Sequence, residues 1–335
     1  MTWIFIIPIT SCILLITLFP ISSLSTFLFQ TPLTIVQFAD LHFGEAPNLE
    51  WGPIQDINST RVMNYILNSE SPDFVVFSGD QITGNNIVNN ATAVMRNVFS
   101  AVEEARVPFS SIFGNHDDLE LDPPNPRNSI TSRTELLEFE KSTYPSLSQT
   151  CSNGCPNLLP SVSNYYQIIT DPTGTPLVVL YFLDSGGGSY DEDLYTNITD
   201  WLQEITLELS NLTSLTFVHI PTPEYIAASI NKDCIGTAED GITPTVGLNN
   251  LFQVLSNTGT SRGIFTGHDH GNSWCCPFLS MNLCFGRHTG YGGYGSWDRG
   301  SRILEISQNS SSINGIEIKT WIRMEDNTTN SLQWL

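Results

Sequence analysis

Residues 74–80, Phe74-Val75-Val76-Phe77-Ser78-Gly79-Asp80, form an apolar run that stops abruptly at a glycine and a carboxylate. Such a run reads as a buried strand that delivers Asp80 to its C-terminal edge, where open α/β sheets place their ligand sites. Two neighbouring segments have the same form. Thr34-Ile35-Val36-Gln37-Phe38-Ala39 leads to Asp40 and His42, and Phe109-Ser110-Ser111-Ile112-Phe113 leads to Gly114-Asn115-His116-Asp117. Between the first two strands the spacing predicts a helix starting near Ser59-Thr60, carrying Val62, Ile66 and Leu67 and ending at Ser71-Pro72. Between the second and third it predicts a helix over about 90–106 along Val94, Val98, Ala101 and Val102, closed by Pro108. The order β-α-β-α-β implies an α/β fold with a parallel sheet and right-handed crossovers.

Working outward, the 118–164 region is less regular, with a Pro-rich loop at 123–126 and a short helix over Thr131 to Lys141. Strands are expected at Tyr165–Ile169 and Leu177–Leu183, joined by the turn Asp171-Pro172-Thr173-Gly174, and a helix at 199–210. Leu215-Thr216-Phe217-Val218 then ends in His219, and Gly263-Ile264-Phe265-Thr266 ends in Gly267-His268-Asp269-His270. The last segments, Ile303–Ile306 and Ile313–Ile322, alternate like edge strands. No internal repeat or linker divides the chain, so residues 31–325 are expected to form one domain.

The chain has 335 residues, 40% of them hydrophobic, with 13 Lys+Arg against 34 Asp+Glu and a net charge of −21. That balance argues against nucleic acid as a partner, since phosphate binding needs a basic face. Residues 3–21 carry no charge and are followed by Ser22, Ser23 and Ser25. Residues 1–25 read as a signal peptide cleaved near residues 23–26, or as an uncleaved membrane anchor. Six Asn-X-Ser/Thr triplets, at Asn58, Asn90, Asn197, Asn211, Asn309 and Asn327, fit passage through the secretory route. Apart from Cys12 in the leader, Cys151, Cys155, Cys234, Cys275, Cys276 and Cys284 remain. In an oxidising compartment an even set suggests disulfides, with fifteen pairings open and Cys151–Cys155 favoured as the local one; a zinc site is the rival.

Only six histidines occur in the chain. A lone histidine after a strand is usually a hydrogen-bonded structural residue. Five so placed (His42, His116, His219, His268 and His270), together with Asp40, Asp80 and Asn115, point instead to a metal site. Two divalent ions about 3.5 Å apart need a bridging carboxylate, and the short two-oxygen side chain of Asp80 suits that task. Ser185-Gly186-Gly187-Gly188 is either a phosphate cradle or a plain loop, His288 either a cleft residue or a loop histidine, and Tyr291, Tyr294 and Trp297 either a cleft wall or turn packing.

Asp40-Leu41-His42, Gly79-Asp80, Gly114-Asn115-His116-Asp117, His219 and Gly267-His268-Asp269-His270, in that order, resemble the five motifs of calcineurin-like metallophosphoesterases. The stretch Gly290–Arg302 and Tyr181-Phe182-Leu183-Asp184-Ser185 further resemble the purple-acid-phosphatase-like subgroup. The resemblance implies a four-layer α/β/β/α sandwich of two mixed sheets with flanking helices. It implies that Asp40, His42, Asp80 and His270 hold one ion and Asp80, Asn115, His219 and His268 the other, while His116 contacts phosphate or protonates the leaving oxygen and Asp117 orients the His116 ring. The implied reaction is hydrolysis of phosphate monoesters by attack of a metal-bound hydroxide, on a phosphorylated small molecule or protein in the secretory or vacuolar lumen or outside the cell. A phosphodiesterase acting on nucleotides or lipid headgroups and a non-catalytic binding glycoprotein are the alternatives. Purple enzymes have glycine in place of His42 and tyrosine in place of Thr83, so the resemblance extends to a divalent pair (Fe, Mn or Zn) and not to a ferric-tyrosinate centre.

Overall fold

The computed structural model describes residues 26–28, 32–119, 131–246 and 250–335. The proposed leader lies outside the described residues except for its last boundary, and among the described residues no helix is long and apolar enough to cross a membrane.

The opening stretch is a strand buried at every position, β3 (Phe74–Ser78). It pairs in parallel with β2 (Leu33–Phe38) on one side and β4 (Phe109–Ile112) on the other. The crossovers are α1 (Trp51–Glu70) and α2 (Ala91–Ala105). On the far side of β2 the chain adds β11 (Gly300–Gln308), β12 (Ile316–Met324) and β13 (Thr329–Trp334), all antiparallel, to give a six-stranded sheet in the order β13-β12-β11-β2-β3-β4.

A second sheet has seven strands. Its members are β1 (Thr26–Leu28), β5 (Tyr165–Thr170), β6 (Pro176–Leu183), β7 (Thr213–Val218), β8 (Ser261–Thr266), β9 (Cys275–Phe278) and β10 (Met281–Phe285), in the order β1-β5-β6-β7-β8-β10-β9. Strand β6 shows why it is covered on both faces. Val178, Leu180 and Phe182 join the core shared with the six-stranded sheet, whereas Val179, Tyr181 and Leu183 pack with α4 (Thr196–Glu208) and α6 (Leu251–Thr258). The period of two along a strand sends alternate side chains to opposite layers. Polar stitches cross the interior: the Tyr165 hydroxyl donates to the Ser111 carbonyl at 2.7 Å, and Gln37 Nε2 to the Thr266 carbonyl at 3.1 Å. The result is the expected sandwich of two mixed sheets with flanking helices.

Some local expectations change. Helix α1 begins eight residues before Ser59, because its first turns expose Trp51, Ile54 and Ile57 and offer no apolar repeat facing the core. The short helix expected from Thr131 is α3 (Arg133–Thr143), capped by Ser132, whose hydroxyl accepts the Glu135 N–H while Glu135 accepts the Ser132 N–H. Strands β11 and β12 are interior, not edges; β13 and β4 are the edges of that sheet. Strands β9 and β10, helix α6 and the five-residue helix α5 (Glu224–Ala228) had no sequence expectation. All six cysteines of the described residues are paired, as Cys151–Cys155, Cys234–Cys276 and Cys275–Cys284, which removes the zinc alternative.

Candidate metal centre

The strands β2, β3, β4, β7 and β8 all end at one edge of the sandwich. Their loops bring Asp40 and His42, Asp80, Asn115 and His116, His219, and His268 and His270 together, so two sheets contribute to one site. Asp40, His42, Asp80 and His268 all have positive φ, between 50° and 74°. Side-chain-bearing residues adopt that conformation rarely, and such strain is held at functional sites by the structure around it. Here the restraint is visible: the His42 N–H donates to the Asp80 carbonyl at 2.9 Å, the His268 N–H to Asp40 Oδ1 at 2.9 Å and the His116 N–H to Asp80 Oδ1 at 2.8 Å.

Two triads of potential ligands result, Asp40 with His42 and His270, and Asp80 with His219 and His268; in each, the ligand atoms lie within 4.8 Å of one another. Asp80 joins them. Its Oδ2 is 3.2 Å from His219 Nε2 and 3.5 Å from His42 Nε2. Asn115 Oδ1 completes the second group, 3.0 Å from both His219 Nε2 and His268 Nδ1. Every ligand-type residue expected from the sequence is therefore in one place.

The donor set fits cations. His219 Nδ1 lies 3.0 Å from the Ser78 carbonyl and His270 Nδ1 lies 2.8 Å from the Tyr294 carbonyl. A carbonyl only accepts, so both Nδ1 atoms carry the proton and both rings turn Nε2 inward. His42 Nε2 sits 3.2 Å from His270 Nε2, beside the Asp40 and Asp80 carboxylates. Inward-facing lone pairs at such spacing need positive charge between them, and imidazole with carboxylate and amide oxygen suits a divalent first-row pair.

Burial shapes the protonation of the site. It lowers His42 well below the usual histidine range, His268 to about 3 and His270 to about 4, and it raises the Asp40 carboxyl to about 7. Burial would raise Asp80 too, but His219, His116 and His42 hold it below its ordinary value. His219 in turn overcomes burial and rises to about 9 through the Asp80 carboxylate. Of the two carboxylates in the triads, Asp80 is thus the one that stays ionised more easily.

A model of the calcineurin-like phosphoesterases matches residues 33–272, which include every one of these side chains. The chain belongs to that family. This phosphoesterase is 27% identical over 332 residues to "Probable inactive purple acid phosphatase 14" of Arabidopsis thaliana, covering 87% of this chain and 80% of that protein. It is 29% identical over 323 residues to "Phosphatase DCR2" of Saccharomyces cerevisiae, again 87% of this chain but 53% of that protein, so it spans about half the yeast phosphatase. Among solved structures it resembles a dimetal phosphatase from Danio rerio, with TM-score 0.59, 12% identity and coverage of 91% and 98% of the two chains. It also resembles the purple acid phosphatase PPD1 of yellow lupin, with TM-score 0.56, 12% identity and coverage of 91% and 53%. At that identity the two structures share the fold.

One role expected of this calcineurin-like phosphoesterase is corrected. Asp117 does not orient His116. Its carboxylate instead accepts four backbone N–H groups, from Gly114 at 2.7 Å, Gln81 at 2.8 Å, Ile82 at 3.0 Å and Asp80 at 3.1 Å. Adjacent residues in this tight turn point apart, so Asp117 clamps the β3 and β4 loops together while His116 keeps a buried Nδ1 with no partner among the described residues. Thr83, at the position of the purple enzymes' tyrosine, sits with its hydroxyl 3.3 Å from His42 Nδ1.

The 185–188 loop is a wall packed on the β4 loop, since a Cβ on Gly187 would lie 2.3 Å from the Asn115 Cβ. His288 is fully buried, with its ring centroid 3.9 Å from that of His270. Gly293, with φ +73°, lets its loop lie against the centre: a Cβ there would be 2.5 Å from His270 Cε1. Arg133 escaped sequence reasoning. It is buried at the first turn of α3 and donates to Asp118, Asp184 and the carbonyls of Gly114 and Gly187. The available signal was an arginine at a helix N-terminus, where the dipole disfavours a cation and a specific anionic partner must compensate.

Proposed function

We propose that the protein is a divalent-metal-dependent phosphomonoesterase of the secretory or vacuolar lumen or the cell exterior. The observation that carries this reading is Asp80 Oδ2, placed between two ligand groups so that one carboxylate serves both. Asp40, His42, Asp80 and His270 would hold one ion and Asp80, Asn115, His219 and His268 the other, with Fe, Mn or Zn all compatible with the donors. Two such ions supply an activated water and neutralise charge on the phosphoryl oxygens. His116 lies beside them on the wall of a cavity of about 390 Å³, with Glu45, Thr83 and Tyr294, where it can donate a proton to the departing oxygen. The three disulfides support an oxidising compartment.

The surroundings favour particular leaving groups. A cavity of about 510 Å³ opens next to Asn115 and is bordered by Tyr190, Asp191, Glu192, Asp193 and Val246. Among the described residues no lysine or arginine lines either cavity. A phosphate ester of a neutral or cationic alcohol therefore meets less repulsion than a nucleotide. The expected assay result is turnover of p-nitrophenyl phosphate without its bis ester, and a higher kcat/KM for phosphoethanolamine than for a nucleoside monophosphate. Preference for the bis ester would establish the phosphodiesterase alternative, and preference for the nucleotide would refute the charge argument. The name of the Arabidopsis relative, which calls it inactive, raises a non-catalytic reading. It predicts that metal-loaded protein turns over neither ester and that His116→Ala changes nothing, whereas the enzyme reading predicts a loss of roughly 10²–10⁴-fold in kcat.

A further inference from the structure

One residue outside the motifs touches the centre in three separate ways. The Tyr294 ring stacks on His270, with centroids 4.1 Å apart and planes 15° from parallel. Its carbonyl accepts from His270 Nδ1 at 2.8 Å, and its hydroxyl oxygen accepts the His270 N–H at 3.1 Å. The hydroxyl donates in turn to Asp240 Oδ2, which also receives the Gly271 N–H at 3.3 Å. His288 also packs against the same imidazole, with centroids 3.9 Å apart and planes tilted by 39°. His219 also leans through Nδ1 on a backbone carbonyl, that of Ser78, but its aromatic neighbour is the edge-on ring of His268, a fellow ligand, and not a stacked tyrosine. Only 2% of His270 is exposed, against 50% of Tyr294, so the tyrosine is a poor core residue and a good lid for one ligand.

We infer that Tyr294, anchored by Asp240, is a positioning residue for His270 that sets the affinity of the Asp40/His42/His270 half of the centre without comparable effect on the Asn115/His219/His268 half. This rests on the two-ion reading above. Outer-shell groups that fix the orientation of a ligating histidine typically contribute about 10–100-fold in metal affinity.

The test is calorimetric titration of chelator-stripped protein with Mn(II), alongside the melting temperature of the stripped protein. Wild type should show two binding events. Tyr294→Ala, which keeps the backbone carbonyl but loses the stacked ring and the hydroxyl, should weaken one of them by about 10–100-fold and leave the other nearly unchanged, and Tyr294→Phe, which restores the ring but not the hydroxyl's contacts with the His270 N–H and Asp240, should recover part of the loss. Two unchanged events, or both weakened alike, would overturn the inference. Should Tyr294→Ala fail to fold, Tyr294→Phe and Asp240→Ala carry the test: weakening of one event alone supports the inference and none refutes it. The underlying reading fails separately, when wild type itself takes up no ion.

Discussion

Asp80→Asn is expected to leave a folded protein that binds one ion or none and has lost roughly 10³-fold or more in kcat/KM, about 4 kcal/mol of transition-state stabilisation. The substitution keeps the size of the side chain and the acceptor for the His116 N–H. What changes is charge. Asp80 is the carboxylate facing both His42 and His219, and the one whose ionised form those histidines favour. An amide in its place brings either a weaker oxygen or an N–H against Nε2 lone pairs. Metal content by plasma emission and p-nitrophenyl phosphate kinetics on the same preparation are the measurements. A variant with two ions and the wild-type rate would show that Asp80 does not bridge.

Arg133→Met should destabilise the fold by about 3–5 kcal/mol, because it leaves two buried carboxylates without their cation. Arg133, Asp118 and Asp184 are all almost fully buried, and the guanidinium also lies 4.5 Å over the Tyr190 ring. Burial would raise the Asp184 carboxyl, but Arg133 and the Gly186 and Val162 N–H groups hold it below its ordinary value. A group depressed on folding contributes stability above its unfolded pKa and loses it as pH falls through the folded one. Wild type should therefore show this contribution in full at neutral pH and lose it progressively as pH falls below the ordinary carboxylate value of 3.8, and the variant should lack it already at neutral pH. Urea unfolding from pH 7 to pH 3 gives the comparison. A variant within 1 kcal/mol of wild type at pH 7, taken as an order-of-magnitude threshold of about one hydrogen bond, would rule out the clamp.

What could be read from the sequence follows from how each feature is encoded. Strand β3 is a continuous apolar run ended by Ser78-Gly79, and β2 and β4 are largely apolar runs that end just before Asp40 and Gly114-Asn115, so both their existence and the edge they share were legible. The ligands were legible because histidine and aspartate directly after such runs have few packing explanations. Asp117 was not, because the sequence shows that it adjoins His116 but not that the turn sends it the other way, onto four N–H groups. Tyr294 was left ambiguous for a similar reason. Its role depends on Gly293 and Gly295 turning a loop 24 residues further along the chain back against His270, a contact made only in three dimensions. The missed β9 and β10 are short and interrupted by Pro277 and the cysteines, which removes the periodicity that reveals longer strands.

Those two cysteines have a consequence for handling the protein. Cys275 and Cys276 are adjacent on β9, so their side chains leave opposite faces of the strand. Cys275 bonds Cys284 within the core between the sheets, and Cys276 bonds Cys234 in the outer layer. From Cys234 the chain runs directly to Asp240, the anchor of Tyr294. A single strand at the margin of the sheet is therefore riveted front and back, and one of the rivets also tethers the segment that steadies His270. Recombinant chain made in a reducing cytosol would arrive with both rivets open, and its metal loading should be judged only after oxidative refolding or export.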